Sequence, residues 1–195
     1  MDITQIQQTA NEIINLYAMH GSEDYIGEPV SQIEHMCQCA QLAEAEGADD
    51  ETILAAFFHD IGHLCEFSTP ESGLQHMDHF GIVDHEKLGS EYLLSKGFSI
   101  KIAKMVASHV AAKRYLTFKY PNYYNLLSEA SKHTLEHQGG RMTTLEALEF
   151  EQDELFQQYL AIRRWDDKAK EQNKPLPSLE DYRQLMIEHL SLQTL

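Results

Sequence analysis

An apolar stretch of the chain ends in residues that can bind a metal ion. The segment AAFFHDIGHL, residues 55–64, places His59 beside Asp60, with His63 one helical turn after His59. A buried, ionised aspartate is costly unless it is paired or coordinates a metal. Imidazole and carboxylate together suit iron, manganese, cobalt or zinc, and this ligand chemistry alone does not separate iron from manganese. The segment therefore predicts part of a metal site.

Further candidate ligands lie on other predicted helices, among apolar neighbours. Adjacent helical residues point about 100° apart, so His59 and Asp60 can flank an ion that lies between helices. A single histidine in such a place is more often a hydrogen-bonded core or surface residue. A His-Asp pair together with several helix-borne histidines favours metal binding. The candidate ligands are His35, His59, Asp60, His85, His109 and Asp166.

Two cations occupy helical positions next to candidate ligands. Lys113 follows His109 by four residues, and Arg163 precedes Asp166 by three, so each cation shares a helix face with a candidate ligand. A solvated surface charge is the alternative interpretation for both. Their placement favours a compact cationic pocket that binds a small anion.

Helix signals dominate the elements that must position these residues. Capping boxes at Ser31–Glu34 and Thr143–Glu146 predict two helix starts, the second before a long helix through Asp166. Residues 66–83 and 117–127 are predicted to be loops. The pattern predicts an all-α chain of about seven to nine helices. Further caps are predicted at Asp49 or Asp50, Asp84, Ser99 and Ser178, and a helix end at Gly97.

The chain has 195 residues, a length that suits one domain with a sizeable core. We expect a single domain over residues 1–195, with a metal-binding core at about 24–170 and a C-terminal amphipathic helix at about 178–190. The segment KEQNKPLPS before that helix is too short to separate two domains.

Charge and cysteine usage exclude several classes of partner. The net charge of −16 repels nucleic acid and anionic membranes. Three cysteines, Cys37, Cys39 and Cys65, form neither a disulfide framework nor a zinc site, which indicates a reducing cytoplasm. Neither a signal peptide nor an apolar run of about 20 residues is present. We expect a cytoplasmic protein without nucleic-acid, membrane or obligate protein partners.

The ligand order H…HD…H…H…D resembles that of HD-domain metalloproteins. Within them, the chain resembles the PhnZ-type mixed-valent diiron oxygenases, including TmpB-like enzymes, which cleave carbon–phosphorus bonds. The resemblance covers roughly residues 24–190. It is carried by DYIGE at 24–28, HVAAKRYL at 109–116, LSEASKHTLEHQGG at 127–140 and IRRWDDKAK at 162–170.

The resemblance implies an HD-domain helical bundle that holds two iron ions, Fe(II) and Fe(III), with O2 as co-substrate. Asp60 would bridge the irons, and Tyr25 would act as a gating iron ligand in the substrate-free state. Glu28 would meet the substrate's ammonium group. The first iron would be held by His35, His59, Asp60 and Asp166, and the second, more open one by Asp60, His85 and His109. The implied phosphonate contacts are His63, Lys113, Ser131, Gln138 and Arg163.

The implied reaction is oxidative cleavage of a small anionic organophosphonate, 1-hydroxy-2-aminoethylphosphonate or its N-trimethyl analogue. The products would be inorganic phosphate and glycine, or glycine betaine. The alternative is an HD-family phosphohydrolase that acts on a nucleotide or phosphate ester with the same metals. A degenerate HD domain used only for binding is disfavoured by the complete ligand set.

The segment between His63 and His85 is longer than the resemblance leads us to expect. It contains Met77, Asp78 and Phe80, and aromatic and acidic surroundings suit a quaternary ammonium. A variable surface loop is the other interpretation. The amine of the substrate therefore stays open between the primary and the trimethylated form.

Overall fold

The computed structural model describes residues 1–25, 27–68, 75, 77 and 81–193. These residues form ten α-helices and no strand, and two short 3-10 turns, Ile61–His63 and Cys65–Phe67, follow the third helix. The predicted all-α, single-domain fold is confirmed. The helices are α1 (Ile3–His20), α2 (Gln32–Ala45), α3 (Asp50–Phe58), α4 (His85–Ser95), α5 (Ile100–Lys119), α6 (Tyr123–Leu126), α7 (Glu129–His137), α8 (Thr144–Phe150), α9 (Phe156–Lys168) and α10 (Leu179–Leu192).

Both predicted capping boxes are confirmed. At the start of α2 the Ser31 N–H donates to the Glu34 carboxylate at 2.7 Å, and at the start of α8 the Thr143 N–H donates to Glu146 at 2.6 Å. Each pair satisfies two backbone donors that a helix start leaves open. The predicted caps at Asp49, Ser99 and Ser178 are also confirmed, and Gly97 ends α4 with a φ of +89°.

Three local predictions are wrong. Asp84 precedes α4 with a φ of +57° and its side chain makes no capping bond. The long helix predicted through Asp166 is two helices, because the Asp153 carboxylate accepts from the Leu155 N–H at 2.9 Å and so favours a turn. The predicted loop at 117–127 is partly helical, since α5 continues to Lys119 and α6 follows it.

Aromatic side chains connect three helices in the core and fix the end of α3. Phe57 stacks between Tyr17 of α1 and Tyr182 of α10, with ring centroids 4.5 and 4.3 Å apart. The Tyr17 hydroxyl also donates to the Phe57 carbonyl at 3.0 Å. All three side chains are buried. Because Phe57 packs against an aromatic ring on each side, the end of α3 is rigid. His59 follows the last residue of this helix directly.

A close backbone contact brings α4 against the turn after α3. A Cβ built on Gly62 would lie 1.9 Å from the carbonyl oxygen of His85. Only a glycine permits this approach. The contact sets His85 beside Asp60, although the two residues are distant in sequence.

The three cysteines are buried, and none forms a disulfide. Burial raises the pKa of the Cys37 and Cys65 thiols to about 12, so both are protonated at neutral pH. Throughout the described ranges, every helix falls short of the length and apolarity that a membrane span requires.

Candidate metal centre

Four buried imidazoles are oriented by backbone carbonyls. His35, on α2, lies with its Nδ1 2.9 Å from the Ala169 carbonyl after α9. A carbonyl oxygen can only accept a hydrogen bond. In each of the four imidazoles, Nδ1 therefore carries the proton and Nε2 presents a lone pair. The other three imidazoles each donate to the carbonyl three residues earlier: His59 to Ala56 (2.8 Å), His85 to Ile82 (3.2 Å) and His109 to Val106 (2.9 Å).

The unprotonated nitrogens meet in two pairs. Nε2 of His35 lies 3.0 Å from Nε2 of His59, and Nε2 of His85 lies 2.9 Å from Nε2 of His109. Two facing lone pairs at this distance repel each other unless a cation or a proton lies between or beside them. The arrangement therefore fits metal ions, and imidazole nitrogen is a common metal ligand.

Asp60 lies between the two histidine pairs and directs one oxygen to each. Its Oδ1 is 3.3 Å from His85 Nε2 and 3.2 Å from His109 Nε2. Its Oδ2 is 3.6 Å from His35 Nε2 and 3.3 Å from His59 Nε2. This oxygen is buried, and none of the described residues is a hydrogen-bond partner for it. A single carboxylate thus faces two possible metal positions.

Asp60 is ionised despite its burial. Burial acts to raise its pKa, but when His59 and the neighbouring imidazoles also carry on Nε2 the protons that a metal ion would replace, the His59 charge and the imidazole hydrogen bonds hold the Asp60 pKa well below its usual range. The sequence pattern placed this residue on a helix, and that expectation is wrong. α3 ends at Phe58, and Asp60 has a φ of −106° and a ψ of 11°. Because Asp60 lies outside the helix, its side chain can lie between the two histidine pairs.

Asp166 adds a carboxylate to the first histidine pair and is fixed by Arg163. Its Oδ1 lies 3.4 Å from His35 Nε2, and its Oδ2 accepts from Arg163 at 2.6 Å. Arg163 also donates to Asp167 and, at 3.0 Å, to the Tyr123 hydroxyl. Burial would raise the pKa of Asp166, but the Arg163 charge keeps that pKa well below its usual range. Arg163 therefore already donates hydrogen bonds to side chains of the protein, although it also lines the cavity described next.

A cavity of about 330 Å³ opens beside one of the two pairs. His85 and His109 line it together with Asp60 and Asp166, whereas His35 and His59 do not. Tyr25 stacks on the His35 ring with centroids 4.1 Å apart and an angle of 13°. The pair on α4 and α5 is therefore the accessible one.

Tyr25, which covers His35, is a neutral phenol. Burial raises its pKa well above the usual range, and the charges of Asp60 and Asp166 raise it further. At neutral pH Tyr25 therefore presents a protonated hydroxyl beside Asp60, while its ring covers His35.

Lys113 is a buried cation in the cavity wall. Its side chain comes from α5, one turn after His109, and it donates to the Thr134 hydroxyl at 2.8 Å and to the Ser131 carbonyl at 3.4 Å. Burial, and next the positive charge of Arg163, lower the pKa of Lys113 to about 7. An anion in the cavity would stabilise its charged form.

Helix α7 supplies the polar groups around Lys113. Ser131, Thr134 and Gln138 line the cavity, and the buried Gln138 amide oxygen has no hydrogen-bond partner within the described part of the chain. Thr134 was not among the predicted site residues. Thr134 lies three residues after Ser131, which places both on one face of α7. This spacing could have identified Thr134 as a site residue from the sequence.

His63 is oriented differently from the four paired histidines. Its Nδ1 accepts from the backbone N–H of Ile82 at 3.2 Å, so its Nε2 carries the proton. The ring stacks on His85 with centroids 4.0 Å apart. Burial, and next the nearby His85, lower the pKa of His63 well below its usual range. His63 is therefore a neutral N–H donor at the cavity wall.

Gly81 leaves room for the His63 ring, and we expect Gly81→Ala to impair binding in the cavity. Gly81 has a φ of +92°, and a Cβ there would lie 2.4 Å from His63 Cε1. The His63 ring would have to move, so kcat/KM should fall about tenfold or more. The matched control is Gly47→Ala, with a φ of +73° and no atom of the described residues within 4 Å of its added Cβ. Both variants should lose about 1–2 kcal/mol in urea unfolding, and equal activity in the two would contradict the positioning of His63.

Glu28 is held by a cation of the chain. Its Oε1 accepts from the Ser128 hydroxyl at 2.5 Å and from the Lys170 ammonium at 2.6 Å. Glu28 also lines the cavity. Glu28 is the residue predicted to contact a substrate ammonium. Its carboxylate thus already has a cationic partner within the protein.

Four further cavity residues were not identified as site residues from sequence. Gln32 presents a buried amide oxygen that finds no hydrogen-bond partner among the residues described, and Glu23 and Asp24 lie exposed at the same wall. Met77, from the long segment before α4, is buried and lines the cavity. Asp78 and Phe80 of that segment lie outside the described residues.

Comparison with known proteins yields one family and three similar chains. The HD-domain family matches residues 33–186. An uncharacterised protein of Acanthamoeba polyphaga mimivirus is 47% identical over 193 residues, covering 99% of this chain and 87% of that protein.

The other two similar chains are named for an activity. The [1-hydroxy-2-(trimethylamino)ethyl]phosphonate dioxygenase (glycine-betaine-forming) of Leisingera caerulea is 42% identical, over 83% of this chain and 80% of that enzyme. The hydroxymethylphosphonate dioxygenase of Gimesia maris is 38% identical, over 93% of this chain and 90% of that enzyme.

Proposed function

The chain belongs to the HD-domain family and to the group of phosphonate dioxygenases within it, and we propose that it cleaves the carbon–phosphorus bond of a 1-hydroxyphosphonate with O2. The main support is the position of Asp60, with one oxygen toward each facing histidine pair at the wall of a cavity. The same cavity contains the buried cation Lys113, which suits the phosphonate group.

The proposed cofactor is a pair of iron ions, Fe(II) and Fe(III), and Asp60 would contribute to holding both. When bound, the irons would supply the one-electron and O2 chemistry that side chains cannot perform. The second ion would have fewer protein ligands than the first and would lie at the cavity. This fits the general rule that a catalytic metal keeps a position for substrate. The first iron would be held by His35, His59, Asp60 and Asp166, and the second by Asp60, His85 and His109.

The proposed substrates are 1-hydroxy-2-aminoethylphosphonate and its N-trimethyl analogue. The carbon that bears the hydroxyl loses its bonds to hydrogen and phosphorus and becomes a carboxylate, and phosphorus leaves as inorganic phosphate. This oxidation releases four electrons, which one O2 accepts while both of its oxygen atoms enter the products. The reaction therefore needs no further reductant, and it yields glycine or glycine betaine.

The protein's own residues would bind and orient the phosphonate. Lys113 supplies the charge, and Ser131, Thr134 and Gln138 surround it with polar groups. His63 donates its Nε2 proton in a hydrogen bond to the substrate without becoming charged. Arg163 acts mainly as a positioning residue, because it holds Asp166 in place. Fixing the reacting carbon in one orientation is the contribution that such a pocket makes to the rate.

The pH dependence of kcat/KM should report the charge of Lys113. The pKa of Lys113 in the substrate-free protein is lowered to about 7. The ammonium that binds a phosphonate is present below that pH, so kcat/KM should decrease as pH rises through it, by about tenfold per unit. Lys113→Arg keeps its charge and should move the decrease to higher pH. The substrate's own ionisation affects both proteins equally, so identical profiles would contradict this assignment.

The test of the proposed function is O2 uptake measured together with phosphate release. Iron-loaded protein is given 1-hydroxy-2-aminoethylphosphonate and, in parallel, the trimethylated analogue. Equal amounts of O2 consumed and phosphate formed are the expected result. Phosphate release from ordinary phosphate esters without O2, and none from either phosphonate, would instead identify a phosphohydrolase.

A further inference from the structure

We propose that Lys170 sets the charge preference of the cavity by neutralising Glu28 from outside it. This inference rests on the proposed function, because it concerns which phosphonates the same cavity accepts. Lys170 would be a specificity-determining residue that acts through Glu28 and does not itself contact the substrate.

The geometry around Glu28 supports this role. The Lys170 ammonium lies 2.6 Å from Glu28 Oε1, and the two side chains are only 16% and 7% exposed. Glu28 lines the cavity, whereas Lys170 lies behind it and does not. A partly buried ion pair of this kind is weakly screened by solvent. The positive charge therefore reduces the attraction that Glu28 exerts on a cation in the cavity.

The position of Lys170 is fixed by neighbouring structure. It follows Ala169, whose carbonyl accepts from His35, and its ammonium also lies 3.5 Å from the Ser128 hydroxyl. Ser128 is the N-cap of α7 and accepts from the Ser131 N–H at 3.2 Å. The ion pair thus joins the segment of Tyr25 and Glu28 to the helix that carries the phosphonate-binding groups.

The two similar dioxygenases show why this charge matters. One is named for a phosphonate with a trimethylammonium group, and the other for hydroxymethylphosphonate, which has no cation. A cavity whose Glu28 is neutralised tolerates a substrate without a cation better than a cavity with a free carboxylate. A bare Glu28 would attract an ammonium and repel a dianion that brings no positive charge.

The test compares Lys170→Met with the wild type on two substrates. For each protein, kcat/KM is measured with 1-hydroxy-2-aminoethylphosphonate and with hydroxymethylphosphonate. We expect the ratio of the first to the second to rise by at least about tenfold in Lys170→Met, because Glu28 regains its full charge. The matched control is Lys168→Met, which removes the same charge from an exposed position two residues earlier.

A second variant shows whether the effect passes through Glu28. Adding Glu28→Gln to Lys170→Met should return the ratio to within about threefold of that in Glu28→Gln alone. An increase that persists in this double variant, or an equal increase in Lys168→Met, would overturn the proposal. An unchanged ratio in an active Lys170→Met protein would also overturn it.

A binding measurement separates this inference from the proposed function. The affinity of the iron-loaded protein for 2-aminoethylphosphonate and for methylphosphonate is measured without O2, by calorimetry. The same shift in preference should occur in Lys170→Met. If that shift is observed but neither hydroxyphosphonate is turned over, the inference on charge holds and the proposed oxygenase function fails. If neither compound's affinity responds to Lys170→Met, the inference fails.

Discussion

Asp60→Asn should abolish turnover and weaken the binding of both metal ions. Among the residues that the structure describes, Asp60 alone faces both histidine pairs, at 3.2–3.6 Å from their Nε2 atoms. Asparagine keeps the shape but removes the charge that offsets two cations in a buried site. Because loss of even an outer hydrogen bond to a metal ligand costs 10- to 100-fold in affinity, we expect a loss of more than about 100-fold here. Metal content after dialysis, together with O2 uptake, measures the result.

His109→Ala provides the comparison within the site. It removes a ligand from the accessible pair only, so about half of the metal should be retained. Asp50→Asn, at the exposed start of α3, controls for the loss of one negative charge and should retain both metal and activity. Full metal content in Asp60→Asn would refute the shared position of this carboxylate. His59→Ala should also abolish turnover, because it disrupts the covered pair.

Lys113→Ala should produce the second large effect, a loss of phosphonate binding. The residue is only 3% exposed, and its ammonium donates to the Thr134 hydroxyl on α7. Removing one partner of a buried charge pair costs about 2–5 kcal/mol, which corresponds to a roughly 30-fold or larger fall in kcat/KM. The metal content should be unchanged, because Lys113 is not among the candidate ligands. Kinetics on the iron-loaded variant measure the change.

Lys119→Ala is the matched control on the same helix. Lys119 pairs with Glu151 at 2.8 Å on an exposed face of α5. Its loss should leave kcat/KM within about twofold of the wild type, because exposed ion pairs contribute little. If Lys113→Ala bound the phosphonate as tightly as Lys119→Ala, the cavity would need another cation, and Arg163 would be the next candidate.

The sequence could predict the elements and the candidate ligands because both depend on local patterns. Capping boxes such as that of Ser31 are complete within four residues, and they began helices where they were expected. The ends of helices were less predictable. α3 ends before Asp60 and α8 before Asp153, since a short turn competes with one more helical residue at little cost in free energy.

The remaining features of the site depend on contacts between distant parts of the chain. Glu28 and Lys170 are 142 residues apart, and no periodic pattern connects them. The tautomer of His63 depends on the Ile82 N–H, which a loop brings to it. Thr134 could have been found by its spacing from Ser131, but Gln32 carries no signal until α2 is placed at the cavity.

The backbone bonds of the four paired histidines also imply an order of assembly during synthesis. His85 and His109 are each oriented by a carbonyl three residues earlier, so their pair, with Asp60, is complete once α5 has left the ribosome. His35 is oriented by Ala169, 134 residues later. Because domains form from the N-terminus as the chain is made, we expect the accessible pair to capture a metal on the nascent chain. The covered pair would close only when α9 docks.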